Sequence, residues 1–218
     1  MSVSATILIF PAGAPLVVDV EESCARRGLR VGAVAANRAG PRHSLDEARI
    51  LEVGELPPEA GGWLFICPLF TPANRRSAVA EAHALGWRAA PALFDPTAIV
   101  PPSVVAAEGV YVNAGVVMGA ACQLGPHVLV NRAASLGHHC VLEAFVAIGP
   151  AAVLAGQVRV GEGAVVGAGA IVASGVSIGA GAVVSPGAVL RRDLPAGALA
   201  FTPSARIRAG GARQGLEA

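Results

Sequence analysis

The chain has 218 residues and a mass of 21.7 kDa, long enough for two small domains. A net charge of +1, with every cationic side chain an arginine, gives no case for nucleic-acid binding. Mean hydropathy is high at +0.60, yet no apolar run reaches membrane-spanning length without proline or charge, which argues against membrane insertion.

In chain order, Ala5–Phe10 is expected as a buried strand, Leu16–Arg27 as a helix and Leu29–Ala35 as a second strand. Trp63–Leu69 is expected as a further strand, Pro72–Leu85 as a helix and Arg88–Leu93 as the last strand of this region. Thr6 to Val20 is apolar enough to resemble a signal peptide, but no basic residue precedes it. Alternating β and α elements argue for a parallel sheet with Rossmann-like crossovers over residues 1–93. Such sheets bind ligands at the carboxyl ends of their strands. The loop after the first strand, Phe10 to Pro15, holds one glycine, Gly13, where a phosphate-cradling loop usually has several.

From Val100 to about Pro195 a six-residue apolar repeat takes over, and residues 94–199 form a second domain. Its first positions include Val112, Met118, Leu124, Val130, Leu136, Leu142 and Ile148, and none in the whole run is polar. Four residues later come mostly small side chains such as Val116, Cys122, Ala134, Cys140 and Ala152. Neither a 3.6-residue helix nor a two-residue strand period explains this spacing, whereas a short strand and a turn, repeated, does. Three such units make a triangular coil, so residues 18 apart stack at about 4.8 Å. Cys122 then lies on Cys140, and Asn113 on Asn131. The second position of the repeat favours Gly or Asn, which suggests a turn needing positive φ there. Residues 200–218 remain as a C-terminal tail.

The four cysteines, Cys24, Cys67, Cys122 and Cys140, show no metal-ligand spacing and suit a reducing cytoplasm. Cys122 and Cys140 are expected as apolar fillers. A metal shared by His127, His138 and His139 is not expected, since adjacent residues of an extended strand point opposite ways. Flat prism faces rich in Ala, Val and Gly would expose apolar surface in a monomer, so a homotrimer is expected.

The stretch from Val130 to Pro150, with Asn131, Ala134, His138, Cys140, Phe145 and Pro150 in place, resembles the signature of sugar O- and N-acyltransferases. These are related to sialic acid O-acetyltransferases and bacterial UDP-4-amino-sugar N-acetyltransferases of the hexapeptide-repeat superfamily. The likeness extends to the connector from Leu93 to Val100 and the ending from Arg191 to Gly197. It implies a left-handed β-helix, a homotrimer and acetyl-CoA held as cosubstrate between neighbouring β-helices. It implies acetyl transfer to an amine or hydroxyl of a sugar or nucleotide-linked amino sugar. His138 is then the general base, a role that suits a histidine titrating near neutrality. Asn131 orients the acceptor or acyl carbonyl, although a turn asparagine stacked on Asn113 explains it nearly as well. Gly13, Asn74 and Arg75 are carried over as nucleotide-sugar contacts, Gly156 and Ala168 as coenzyme contacts, and Arg206 or Arg208 as phosphate partners. Two positions depart from the pattern: His139 stands where an acidic residue is usual, and Ala147 where a second histidine is. A non-catalytic β-helix trimer acting as a scaffold or binding protein is the alternative.

Overall fold

The computed structural model describes residues 6–203. Its N-terminal part is a five-stranded, wholly parallel sheet of β1 (Thr6–Ile9), β2 (Arg30–Ala36), β3 (Ile50–Glu52), β4 (Leu64–Ile66) and β5 (Arg88–Ala89). The strand order is β3-β2-β1-β4-β5. Helix α1 (Val17–Arg27) buries Val17, Val20, Glu21 and Cys24, the i, i+3, i+4, i+7 stripe of one helical face. It ends at Gly28, whose φ of 71° allows the left-handed cap. Helix α2 (Pro72–Ala84) begins with proline at its first position. Alternation along β1 assigns the two layers: Ile7 and Ile9 pack with α1 residues, whereas Leu8 packs with Ala78, Val79 and Ala82 of α2. β3 carries no apolar pattern long enough to be read from sequence.

The expected strand Arg88–Leu93 is two elements. Arg88–Ala89 closes the sheet, and Leu93–Phe94 already pairs with Tyr111–Val112 in the repeat domain. From there the chain winds into a three-faced parallel prism in which two-residue strands pair with those 18 residues on, such as Leu124 with Leu142 and Leu136 with Leu154. The interior is one continuous cluster of first-position and small residues, from Val110 to Leu190. Cys122 and Cys140 are free, fully buried and part of it, so they fill space as expected. Each thiol donates to a backbone carbonyl, Cys122 to Gly137 (3.1 Å) and Cys140 to Ala155 (3.3 Å), and the neighbouring Cys122 together with burial pushes the Cys140 thiol far above its ordinary value.

Positive φ does not fall at the second position of the repeat. It falls two residues later, at Gly109 and Gly115, then at Ala121, His127, Ala133, His139, Phe145, Ala151 and Gln157, then at Gly163 and beyond. Glycine at the second position has another cause, close approach between coils. A Cβ on Gly137, Gly149 or Gly167 would lie 2.5–2.6 Å from a backbone nitrogen of the next coil.

The three faces differ. Tyr111, Leu129 and Ala147 on one face are buried, the first two within the α1 side of the N-terminal core, so this is the covered face. The next face, with strands from Val117–Met118 to Val189–Leu190, points Ile99, Val117, Val153, Ile171 and Val189 outward at 40–64% exposure. It is a bare apolar face. The third, mixed face points Val105, Gln123, Val141, Arg159 and Ser177 outward.

Two buried charges fasten the domains together. Asp95, 1% exposed, accepts hydrogen bonds from Ser23 Oγ (2.6 Å), Arg26 Nε (3.0 Å) and Nη2 (2.8 Å), and from Thr97 N (2.9 Å) and Oγ1 (2.7 Å). Burial alone would raise its pKa, but the bonds from Arg26, Ser23 and Thr97 outweigh that and hold the carboxyl far below the usual range. Arg75 supplies the second fastening, and nearby the His127 ring stacks on Phe145 and Phe65. Burial first, then the charges of His83 and Arg75, pushes the His127 imidazole down to about 4.

Asp95→Ala removes the shared acceptor of Arg26, Ser23 and Thr97, leaving Arg26 its exposed partner Glu22, and is expected to cost on the order of 3 kcal/mol in urea unfolding. His127 generates a pH dependence. The unfolded chain takes up its proton below about 6.5, whereas the folded chain does so only near 4. Stability from this group is therefore complete above pH 6.5 and lost as the pH falls toward 4. The urea midpoint should drop across that window in the wild type and drop less in His127→Phe.

Candidate active site

The prism has three edges, and the candidate residues divide among them. The turn after each covered strand forms the edge between the covered and bare faces, and it carries Asn113, Asn131, Arg132 and Ala168. The turn after each bare strand forms the edge between the bare and mixed faces, with Gly119, His138, His139 and Gly156. The third edge, holding His127, Phe145 and Glu162, lies against α2. The three histidines therefore do not converge, because His127 is buried on a different edge. The expectation that His138 and His139 point opposite ways is corrected. They sit in a turn rather than a strand, and the left-handed φ of 57° at His139 bends the chain between them. Their rings meet edge to face with centroids 5.2 Å apart, and the two Nδ1 atoms are 3.0 Å apart.

His138 is exposed, yet its place is defined from both sides. Its backbone lies against Gly119, where a Cβ would collide with it. Its ring rests on Gly156, where a Cβ would fall 2.7 Å from Nε2 and 2.8 Å from Cε1. Glu143 is not near enough to serve: its carboxylate accepts the Glu162 N–H at 2.9 Å. Ala147 is fully buried on the covered face.

The N-terminal sheet reverses its strand order between β1 and β4, and the loops after those strands flank two adjoining cavities there. The inner cavity, about 270 Å³, is lined by Gly13, Asn37, Arg38, Asn74, Ser77 and Glu81 among others. Asn37 Nδ2 donates to Glu81 across it at 2.8 Å. The outer cavity, about 470 Å³, is shared between domains and is lined by Gly13, Asp19, Thr71, Asn131 and Arg132 among others. Asn131 Oδ1 accepts from Asn113 Nδ2 (3.1 Å) and from the Arg132 N–H (2.8 Å), so the expected stacking on Asn113 occurs. Asp19 accepts from Asn113 (3.2 Å) and Arg132 (3.4 Å).

Gly13 thus lines the inner cavity with Asn74 and the outer cavity with Asn131. Arg75 is a correction. It is 1% exposed and lines neither cavity, and its guanidinium donates to the carbonyls of His127, Leu69, Phe70, Phe145 and Val146 at 2.5–3.0 Å. Burial pushes its pKa down to about 10, and every donor is spent on backbone, so it straps α2 to the prism. Arg206 and Arg208 lie outside the described residues. Sequence reasoning missed Asp19, Asn37 and Glu81. Asp19 and Glu81 sit on helix faces where a carboxylate reads as a solvated residue.

The family described as bacterial transferase hexapeptide (six repeats) matches residues 157–192. Comparison with curated protein sequences finds none that matches. Among solved structures, a histidine variant of GDP-perosamine N-acetyltransferase from Caulobacter crescentus, in complex with CoA and GDP-perosamine, is 31% identical. The match covers 96% of this chain and 99% of that one, with a TM-score of 0.81. The acetyltransferase domain of PglB from Neisseria gonorrhoeae FA1090, in complex with acetyl coenzyme A, is 30% identical over 90% of this chain and 95% of that one, with a TM-score of 0.76.

The chain belongs to the sugar acyltransferases of the hexapeptide-repeat superfamily. WeeI from Acinetobacter baumannii AYE, 18% identical with a TM-score of 0.77 over 89% of this chain and 95% of that one, shares the fold. The prism of this acyltransferase is the left-handed β-helix of that superfamily.

In the acyltransferase, Gly156→Ala should push the His138 ring off the edge, since a flexible side chain yields before backbone does. The His138 ring resonances in proton NMR should shift, while urea stability changes by less than about 0.5 kcal/mol. Unmoved resonances would contradict the packing.

Proposed function

We propose that the protein transfers an acetyl group from acetyl-CoA to an amine or hydroxyl of a nucleotide-linked amino sugar, in a homotrimer whose active sites lie between subunits. The observation that carries this reading is the placement of His138 and the outer cavity on the two opposite edges of the same bare apolar face. Within one chain these edges are separated by six residues of strand and turn, at most about 20 Å. When three copies turn the bare face toward a common axis, neighbours meet edge to edge. The edge with Asn131 and Ala168 in one protomer then lies beside the edge with His138 and Gly156 of its partner. The same arrangement covers Ile99, Val117, Val153, Ile171 and Val189, whose exposure a monomer leaves unexplained. Gly156 and Ala168, on opposite edges within a chain, line one groove only across such an interface, and that groove is the place for the pantetheine arm.

The N-terminal domain reads as Rossmann-like, with the nucleotide in the inner cavity beside Asn74 and the exposed Arg38 near its diphosphate. The sugar occupies the outer cavity, where Asp19 accepts from its hydroxyl or ammonium groups and Asn131 orients the reacting group. The acceptor nitrogen or oxygen then attacks the thioester carbonyl carbon as its proton passes to Nε2 of His138. The carbon–sulfur bond breaks, and the departing CoA thiolate takes that proton from the imidazolium. The charge on His138 is restored at the end of each turnover.

His138→Ala is expected to lower kcat by a factor of about 10² to 10⁴, with CoA affinity and sedimentation behaviour nearly unchanged. Subunit mixing tests the shared site. Chains carrying His138→Ala, refolded with chains whose cavity is blocked by Gly13→Trp, should recover activity that neither parent shows. A stable monomer at micromolar concentration would sink the shared site. Full activity of His138→Ala would remove the base assignment. No CoA release with any nucleotide-linked amino sugar would leave the scaffold reading in its place.

A further inference from the structure

The contact between His138 and His139 constrains which nitrogen of His138 holds a proton. A hydrogen bond between two Nδ1 atoms 3.0 Å apart needs one N–H and one lone pair. In the neutral pair, one ring is therefore protonated at Nδ1 and the other at Nε2. Only one of the two arrangements leaves the Nε2 lone pair of His138 free. In the other, His138 carries its proton at Nε2 and has no lone pair to offer a substrate.

A general base acting through Nε2 requires the first arrangement. Among the described residues neither Nε2 of the pair has a hydrogen-bond acceptor, so the contact between the two Nδ1 atoms is the bond through which one ring sets the tautomer of the other. The carbonyl of Gly156, on which the ring rests, already accepts from Ser174 Oγ at 2.7 Å and from the Gly175 N–H at 3.0 Å. His139 is held from its own side. Its backbone N–H donates to the Ala120 carbonyl at 2.8 Å, and its φ of 57° turns the side chain back toward His138. The left-handed conformation of a non-glycine residue costs about 1 kcal/mol or more, and here it brings two adjacent side chains onto one another.

We propose that His139 is a positioning residue, an uncharged acceptor that holds His138 as its Nδ1–H tautomer and so presents the Nε2 lone pair to the acceptor group. The proposal rests on the reading of His138 as the general base. In the proton-transfer step, His138 gains a proton at Nε2 and keeps its Nδ1–H···Nδ1 bond to His139, so the ring does not have to turn during turnover. His139 contributes orientation and tautomer without placing a negative charge beside the imidazolium.

The test uses the full-length protein labelled with ¹⁵N at histidine, because two-bond nitrogen–proton correlations report the tautomer of each neutral ring independently of catalysis. His138 should be protonated at Nδ1 in the wild type. In His139→Ala it should move toward the Nε2–H form that free imidazole prefers, with sedimentation and melting temperature unchanged. His139→Asp, an acceptor whose side chain tolerates left-handed backbone, should restore the Nδ1–H form, and His139→Lys, which can only donate, should enforce Nε2–H. With a working acceptor, kcat should fall on the order of tenfold in His139→Ala and further in His139→Lys, with the KM for acetyl-CoA unchanged, and should recover in His139→Asp. Nε2 protonation in the wild type, a tautomer indifferent to residue 139, or a kcat that ignores the tautomer would each overturn the proposal. If the tautomer responds as expected but no acceptor releases CoA, the acetyltransfer reading fails while the pair stands.

Discussion

Backbone pairing between residues 18 apart is the constraint on which the rest of this molecule depends. Each coil donates to the one beside it along all three faces, as in Tyr111 N to Val128 O and Gly137 N to Leu154 O. Because the pairing leaves no room for slippage without turning apolar residues outward, every side chain has a defined place along the prism. That register sets Asn113 on Asn131 and Cys122 beside Cys140. It also places Gly119 against the backbone of His138 and Gly156 against its ring. The close approach that demands glycine at second positions such as Gly119 thus also builds the backbone side of the histidine's seat.

The strain in the coils is unevenly distributed. Seven consecutive turns, from Ala121 to Gln157, hold a non-glycine residue at positive φ, while the turns from Gly163 to Gly187 use glycine. Side chains at those strained positions include His127 and Phe145, which meet the N-terminal domain, and His139, which meets His138. Replacing them with glycine would relieve the backbone and remove those contacts. Two of the seven, His127 and Phe145, lie where the prism meets the N-terminal domain, and His139 lies beside the candidate base.

The N-terminal domain is held on the prism by charges that see no solvent. Asp95 and Arg75 are each 1% exposed and each fully supplied with partners, one with donors and the other with backbone carbonyls. Such groups add less net stability than their bond counts suggest, but a wrong docking would leave a buried charge unpaired at high cost. They therefore fix the angle between domains. That angle brings the loop at Gly13 opposite Asn131 and makes the outer cavity a joint product of both domains. On the proposed reading it also dictates that chemistry waits for assembly, since His138 stands on an edge that the N-terminal domain of its own chain does not reach.

Much of this was legible in the linear chain. A strict period of six with one large and one small inward residue has a single economical solution, so the prism, its stacked pairs and its buried cysteines follow from local pattern. The α1 stripe and the motif around His138 are likewise short-range signals. Tertiary structure decided what depends on neighbours distant in sequence. Glycine at the second position is small for lack of space between coils, a distance no local pattern records. Arg75, beside an apt asparagine in sequence, is spent on five carbonyls because helix packing turns it inward. His138 and His139 touch because one turn adopts positive φ without glycine, and Asp19 reaches a cavity only because two domains dock over it. Periodicity carries the information for a repeat, whereas a site assembled from loops, edges and domain contacts is specified only when the whole chain has closed on itself.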